Sequence, residues 1–222
     1  MEKVQLTGLS TQHLSFVTAN RQLHRHCVTS FYALTQAALN AGFTLTIASS
    51  FRDFERQLMI WNNKFNGIRP ILGEDGQPLN TDNMSELDKI HAIMRWSALP
   101  GGSRHHWGTD LDIYASNTLP ENTALLLEPW EYNTGHQASF SIWLQENAHK
   151  HGFFFPYKVD RQGVAIEPWH VSHKEQSSLF MTELTPEVLL NAWENVELAG
   201  KDTIIKHIDT LFIRYITNIN KE

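Results

Sequence analysis

Two short polar motifs constrain this chain more than any other feature, because neither is complete without the other. The first is Ser103-Arg104-His105-His106-Trp107-Gly108 followed by Asp112, and the second is Glu167-Pro168-Trp169-His170. Together they supply two imidazoles and one carboxylate as a three-ligand metal set, with a further carboxylate, Glu167, three residues before the last imidazole. Three protein ligands leave one coordination position open to water, which distinguishes a catalytic zinc site from a closed structural one. The extra Glu is a natural base for that water. Any fold available to the chain must therefore bring positions 105, 112 and 167–170 to one point. Taken singly, each residue is ordinary: a histidine like any other, or an Asp capping a turn. The joint pattern is not.

His105 and Asp112 stand seven positions apart with Gly108 between them. That spacing fits a loop delivering His105, a turn at Gly108, and a strand over 111–115 carrying Asp112 inward. A second strand is expected over 163–170, kinked by Pro168 so that Glu167 and His170 aim at one place despite the strand's period of two. The periodicity predicts helices over 22–41, 53–65, 84–98 and 138–150, and a strand over 43–49 that runs into Ser50-Phe51-Arg52. Residues 68–83, with Pro70, Gly73, Gly76 and Pro78, read as a turn-rich loop or small hairpin. Thr185-Pro186-Glu187 is a helix start, and 202–218 puts Ile204, Ile205, Ile208, Leu211, Phe212, Tyr215 and Ile216 on one helical stripe. The expected architecture is an α+β core over 1–180, followed by a helical extension over 181–222. The stripe of that extension must bury against its own core or against a partner subunit, giving a monomer or a homodimer.

Composition excludes several function classes. Net charge is −6, so no global basic field invites nucleic acid. Cys27 is the only cysteine, which excludes an intrachain disulfide and a Cys-rich metal cluster. No run approaches the roughly 18 apolar residues of a membrane span, and the N-terminus lacks an apolar signal core. The expectation is a protein with no membrane partner and a cytoplasmic location, or a periplasmic one if a leader has been removed. No Gly-rich phosphate loop or serine nucleophile elbow competes with the metal set.

The motifs resemble the two signatures of the LAS-group zinc peptidases, in particular the VanY-type D-alanyl-D-alanine carboxypeptidases. The first signature, S-x-H-x-x-G-x-A-x-D, is met at Ser103, His105, Gly108 and Asp112, and departs at Asp110, where Ala is usual. The second, E-x-W-H, is met at Glu167, Trp169 and His170. A third family element, a Tyr-Arg-Ser-Tyr-like segment with Gln five residues after the Arg, resembles Phe51-Arg52-Asp53-Phe54 and Gln57. The resemblance spans roughly residues 20 to 175. It implies a LAS-type (Hedgehog/DD-peptidase-like) core with a central antiparallel sheet flanked by helices. It also implies that His105, Asp112 and His170 ligate Zn2+ and that Glu167 is the catalytic base. Arg52 would hold the substrate, with Gln57 and Ser103 as further substrate contacts and His106, Trp107 and Trp169 as candidates for the pocket wall. The rival reading of Arg52 is an ion pair with Asp53 or Glu55. A second carboxylate at Asp110 has to be solvated, paired or protonated.

The substrates implied by the resemblance are peptidoglycan stem peptides ending in D-alanine. Three chemistries stay open: cleaving D-Ala-D-Ala ends, cleaving the L,D bond of a tetrapeptide, or splitting free D-Ala-D-Ala. A cytoplasmic DD-carboxypeptidase would destroy the cell's own pentapeptide precursors. The expectation is therefore an LD-carboxypeptidase that trims tetrapeptides in muropeptide recycling. The alternative of another class is a non-catalytic peptidoglycan-binding protein on the same fold, which is expected to have lost a ligand or the Glu. This chain keeps all four.

Overall fold

In a computed structural model that describes residues 2–74 and 76–221, the chain opens with a one-turn helix, α1 (Lys3–Leu6). A hairpin follows, β1 (Leu14–Thr18) and β2 (Arg21–His24). Next come α2 (Val28–Asn40), β3 (Leu45–Ser49), α3 (Phe54–Phe65) and α4 (Glu86–Met94). Strand β4 (Asp110–Ala115), helices α5 (Pro129–Asn133) and α6 (Ala138–Asn147), and the short β5 (Phe153–Phe154) lead to β6 (His170–His173). Helices α7 (Lys174–Glu183), α8 (Pro186–Ala192), α9 (Lys201–Lys206) and α10 (Ile208–Leu211) complete the chain with a π-helical segment, Phe212–Thr217. Among the described residues no helix is long and apolar enough to cross a membrane.

The central sheet is antiparallel in the order β3-β4-β6-β5, with helices packed around it, in agreement with the expected α+β class. Alternation along β4 sorts apolar from polar chemistry, since successive side chains leave opposite faces of a strand. Leu111, Ile113 and Ala115 join a core with Phe31 and Leu34 of α2, Phe140 and Leu144 of α6, and Val171 of β6. Asp110 and Asp112 fall on the other face. Strand β6 pairs Ser172 with Asp110 and His170 with Asp112, so four polar side chains form a small grid on adjacent strands.

A second core joins α3 and α4 to the C-terminal helices. It unites Phe54, Trp61, Ile90 and Ile93 with Leu189, Trp193, Ile204, Leu211 and Ile216. Trp193 also donates through its indole Nε1 to the Pro100 carbonyl at 2.8 Å. The apolar stripe of residues 202–218 is thus buried against the chain's own core. It is carried by α9, α10 and a π-helical segment rather than by the single helix expected, and Ile205 stays 40% exposed.

Other boundaries also shift. The helix expected over 22–41 begins at Val28, because residues 21–24 pair with β1 as a hairpin. The helix expected over 84–98 ends at Met94. The loop over 68–83 includes Asp75, which lies outside the described residues; on its described part Leu72 bridges Pro78. The strand expected over 163–170 is not formed: residues 163–167 are irregular, 168–169 make a turn, and β6 begins only at His170. Pro168 removes a ladder donor, and the segment is held instead by Ala165 N–H on the Arg95 carbonyl (2.9 Å) and Glu167 N–H on the Tyr157 carbonyl (3.1 Å).

Gly108 ends the turn over 104–107 in the left-handed region, with φ 68°. A Cβ there would meet Leu14 Cδ2 at 2.5 Å and the backbone N of His24 at 2.8 Å. Gly108→Ala is therefore expected to destabilise the fold by about 2 kcal/mol or more, read as a lower denaturation midpoint at unchanged slope.

Candidate metal centre and cleft

Four segments of chain converge on the polar face of β4. The turn Arg104–Trp107 presents His105, β4 presents Asp112, the start of β6 presents His170, and the turn before it presents Glu167. His170 N–H closes that turn on the Glu167 carbonyl at 3.1 Å, so the two side chains of an i, i+3 pair emerge on one side. A strand would have sent them to opposite faces.

The nitrogen and oxygen atoms of His105, Asp112 and His170 lie within 4.8 Å of one another, and all three residues are buried. His105 Nε2 is 3.3 Å from Asp112 Oδ2, and His170 Nδ1 is 3.1 Å from Asp112 Oδ1. Neighbouring ligands of a tetrahedral ion with bonds of about 2.0–2.2 Å stand roughly 3.3–3.5 Å apart, so these separations suit a small divalent cation. Asp112 Oδ1 and His170 Nδ1 are buried without a hydrogen-bond partner among the described residues. Leaving such groups unpaired is costly, and a cation among them removes the cost. The donor set fits a metal.

Each histidine is aimed by a different partner. His105 Nδ1 donates to the Ser50 carbonyl at 2.9 Å, which leaves its Nε2 lone pair facing Asp112. His170 Nε2 donates to Asp110 Oδ1 at 2.9 Å, which leaves its Nδ1 facing both Asp112 and Glu167. Orienting a ligand histidine through its second ring nitrogen fixes its tautomer and raises its basicity. Burial works against a charged His170, yet the Asp110, Asp112 and Glu167 carboxylates around its ring outweigh it and hold its pKa well above the ordinary value. Burial likewise opposes ionisation of Asp112, but His105 and His170 prevail and keep the carboxyl well below the usual range.

Asp110, the departure from the signature, is paired. It is fully buried and accepts from Arg104 Nε at 2.7 Å, Thr109 Oγ1 at 2.6 Å and Ser172 Oγ at 3.0 Å, besides His170. Arg104 Nη2 reaches Ser172 Oγ at 2.6 Å. Sequence reasoning attached no function to Asp110 or Arg104. The signal was available: an acid two residues before Asp112 shares its strand face, and an Arg six residues before that acid stands in the preceding turn.

Beside the ligand group lies a cleft of about 340 Å³ lined by Arg52, Ser103, Glu167, Tyr157 and Trp169 among others. The size lies within the usual range of ligand pockets. Arg52 pairs with neither Asp53 nor Glu55: Asp53 caps α3 by accepting from Arg56 N–H at 2.7 Å. Arg52 Nη1 instead donates to Gln57 Oε1 at 2.8 Å, and Nη2 reaches Ser49 Oγ at 3.3 Å. Burial lowers the Arg52 pKa, opposed by the nearby Asp112 and Glu167 carboxylates.

Three expected contacts are corrected. Gln57 is fully buried and holds Arg52 from behind, its Nε2 donating to the Ala98 carbonyl at 2.7 Å, so it does not line the cleft. His106 is no pocket wall either. Its Nε2 accepts from Gly101 N–H at 3.0 Å and its Nδ1 donates to the Arg52 carbonyl at 2.6 Å, which cross-links two loops deep in the fold. Burial pushes its pKa down to about 3. Trp107 is stacked on Phe180 in the second core and donates to the Leu6 carbonyl at 3.0 Å. Tyr157, which sequence reasoning missed, meets the His170 ring edge-on at 4.9 Å and is pushed up to about 12 by burial.

A model of the VanY D-alanyl-D-alanine carboxypeptidase family matches residues 20–176. The chain belongs to this family. An uncharacterized protein of Haemophilus influenzae is 36% identical over 121 residues, covering 53% of this chain and 92% of its own length. The solved structure of VanYB in complex with D-alanine-D-alanine superposes with a TM-score of 0.53 at 20% identity, covering 86% of this chain and 94% of that one. A mutant of the vancomycin-resistance D,D-pentapeptidase VanY, in complex with Zn(II), gives 0.53 at 22% identity, covering 82% and 93%. At these identities the two structures establish a shared fold.

Asp110→Asn keeps an acceptor for His170 but loses the charge. It is expected to weaken zinc binding by about 10- to 100-fold in competition with a chelating dye, with the folded state checked by circular dichroism.

Proposed function

We propose that this VanY-family chain is a zinc-dependent carboxypeptidase that removes the terminal D-alanine of peptidoglycan stem peptides. One observation carries the reading: the His105–Asp112–His170 group, the Glu167 carboxylate and the Arg52 guanidinium all line one cleft. The Zn(II) complex of VanY and the D-alanine-D-alanine complex of VanYB support the choice of ion and of ligand.

His105, Asp112 and His170 would hold the ion. When bound, zinc supplies a Lewis acid that polarises the scissile carbonyl and lowers the pKa of a coordinated water to about 7. Glu167 Oε2, 3.2 Å from His170 Nδ1, stands at the edge of the ligand group and takes a proton from the attacking water. The water oxygen bonds to the carbonyl carbon, the C–N bond breaks, and Glu167 returns the proton to the departing amine of D-alanine. Arg52, planar and permanently charged, grips the terminal carboxylate through two parallel hydrogen bonds. Gln57 and Ser49 keep its fork in position. Reading a free C-terminus makes the enzyme exo-acting.

Within this class we assign the L,D bond of a tetrapeptide, which suits trimming in muropeptide recycling. In a tetrapeptide the residue before the scissile bond is the charged third residue of the stem, whereas in a pentapeptide it is a D-alanine with a methyl side chain. The same cleft carries Lys64 and Arg69, which suit a third residue whose side chain bears a carboxylate.

Glu167→Gln is expected to retain stoichiometric zinc while D-alanine release falls by about 10²–10⁴-fold. Full activity in that variant would remove the proposed base. Zinc-loaded wild type is expected to convert tetrapeptide to tripeptide, with products identified by mass; release from the pentapeptide alone would reassign the enzyme to D,D cleavage.

A further inference from the structure

Four cations line the cleft, and among the described residues three of them, Arg52, Lys64 and Arg69, are ion-paired to no carboxylate. Arg52 is held by Gln57 and Ser49, Lys64 Nζ donates to Ser97 Oγ at 2.8 Å, and Arg69 lines the same cleft. Among the described residues no ion pair joins any of the three to a carboxylate. Two arginines with well-covered side chains behave differently from Arg52 and from the more exposed Arg69: Arg104 pairs with Asp110, and Arg95 pairs with Asp160 and Glu74. Acids are not scarce, since the net charge is −6.

Local structure brings the two outer cations together. Lys64 sits in the last turn of α3, Gly67 turns the chain with φ 74°, and Arg69 N–H bonds back to the Asn63 carbonyl at 2.9 Å. A helix C-terminus favours a lysine modestly. That alone does not account for a half-buried ammonium whose one partner is a hydroxyl, in a cleft shared with a second cation. Burial, then Arg69 and Arg52, push the Lys64 pKa down while Glu167 acts the other way, so the ammonium is within electrostatic reach of both the carboxylate grip and the base.

We propose that Lys64 and Arg69 form a second anion subsite, which reads a carboxylate on the side chain of the residue before the scissile bond. The preferred substrate is then a stem peptide whose third residue is a diamino diacid of the diaminopimelate type rather than lysine. The inference rests on the D-alanine reading of the cleft for the direction of the peptide. A peptide of this kind brings one carboxylate to Arg52 and another to Lys64 and Arg69. A lysine in the same position presents only an ammonium, which two cations repel. Ile60, Leu72 and Val164 supply apolar wall beside these groups, and lower polarity strengthens both the attraction and the repulsion.

The test compares two tetrapeptides that differ only in the third residue, diaminopimelate or lysine, on zinc-loaded wild type, Lys64→Gln, Arg69→Gln and Lys64→Glu. Steady-state D-alanine release gives kcat/KM, and calorimetry in a Glu167→Gln background gives Kd. Wild type is expected to favour the diaminopimelate peptide by about 10- to 100-fold, as a charge-assisted contact set against a repulsion implies. Either Gln variant should carry that ratio towards one, chiefly through KM, and Lys64→Glu should turn it towards lysine. A ratio near one in wild type overturns the subsite. So does an equal loss on both peptides, because Lys64 would then be reading a group the two share, such as the terminal carboxylate. If neither peptide releases D-alanine but the diaminopimelate peptide still binds in a Lys64-dependent way, the D-alanine reading fails and the subsite stands.

Discussion

Asp112 lies opposite His170 and Asp110 opposite Ser172, and this register between β4 and β6 decides whether a metal group can exist at all. A slip of one residue would turn Leu111 and Val171 towards the polar face and send the acids into the apolar core. What holds the register is hydrophobic. Leu111, Ile113, Ala115 and Val171 are buried against α2 and α6 on the far side of the same strands. The apolar face of the sheet thus fixes the alignment that the polar face needs.

The buried charges follow from that alignment. Asp110 and Arg104 form a buried ion pair, and such pairs are weak evidence for stability because desolvation offsets much of the Coulombic attraction. Their value lies in what they aim. Asp110 fixes the His170 ring from behind, Arg104 and Ser172 fix Asp110, and the Nδ1 of His170 is left pointing at Asp112. His105 needs no charged partner, since the Ser50 carbonyl at the end of β3 performs the same service. One histidine of the metal set is backed by a neutral backbone group and the other by a carboxylate, so the two rings are aimed at the same point by different means.

The metal set was legible in the sequence because its residues carry their identity in spacing: His105, Gly108 and Asp112 around a turn, Glu167 and His170 around another. The helices with clear caps were legible too, as with Asp53 before α3 and Thr185-Pro186 before α8. The segment 163–169 was misread because an apolar, Pro-containing stretch has the same composition whether it pairs in a sheet or turns beside one. His106 and Trp107 were misread for another reason: proximity in sequence to a ligand says nothing about which way a side chain leaves a tight turn. Gln57 was reached through the motif around Arg52 and stands on α3 behind that arginine, and all three side chains point into packed interior. The hairpin β1–β2 escaped notice because its strands are short: the alternation of Leu14, Ser15 and Phe16 breaks at Val17, and β2 is mostly polar.

Charge in the cleft is segregated by task. Asp112 and Glu167 stand at the ligand group, while Arg52, Lys64 and Arg69 line the same cleft and, among the described residues, pair with no carboxylate. In the proposed reading, a peptide gripped at its terminal carboxylate and at its scissile carbonyl is held at two points and can still rotate about the line between them. Two contacts cannot tell one configuration from its mirror image, because that rotation lets either present the same pair of groups. A third contact, to the side chain of the residue before the bond, stops the rotation and fixes the faces of the carbonyl relative to Glu167. The unpaired cations therefore bear on stereochemistry as well as on affinity: they supply the third point that positions the carbonyl for attack.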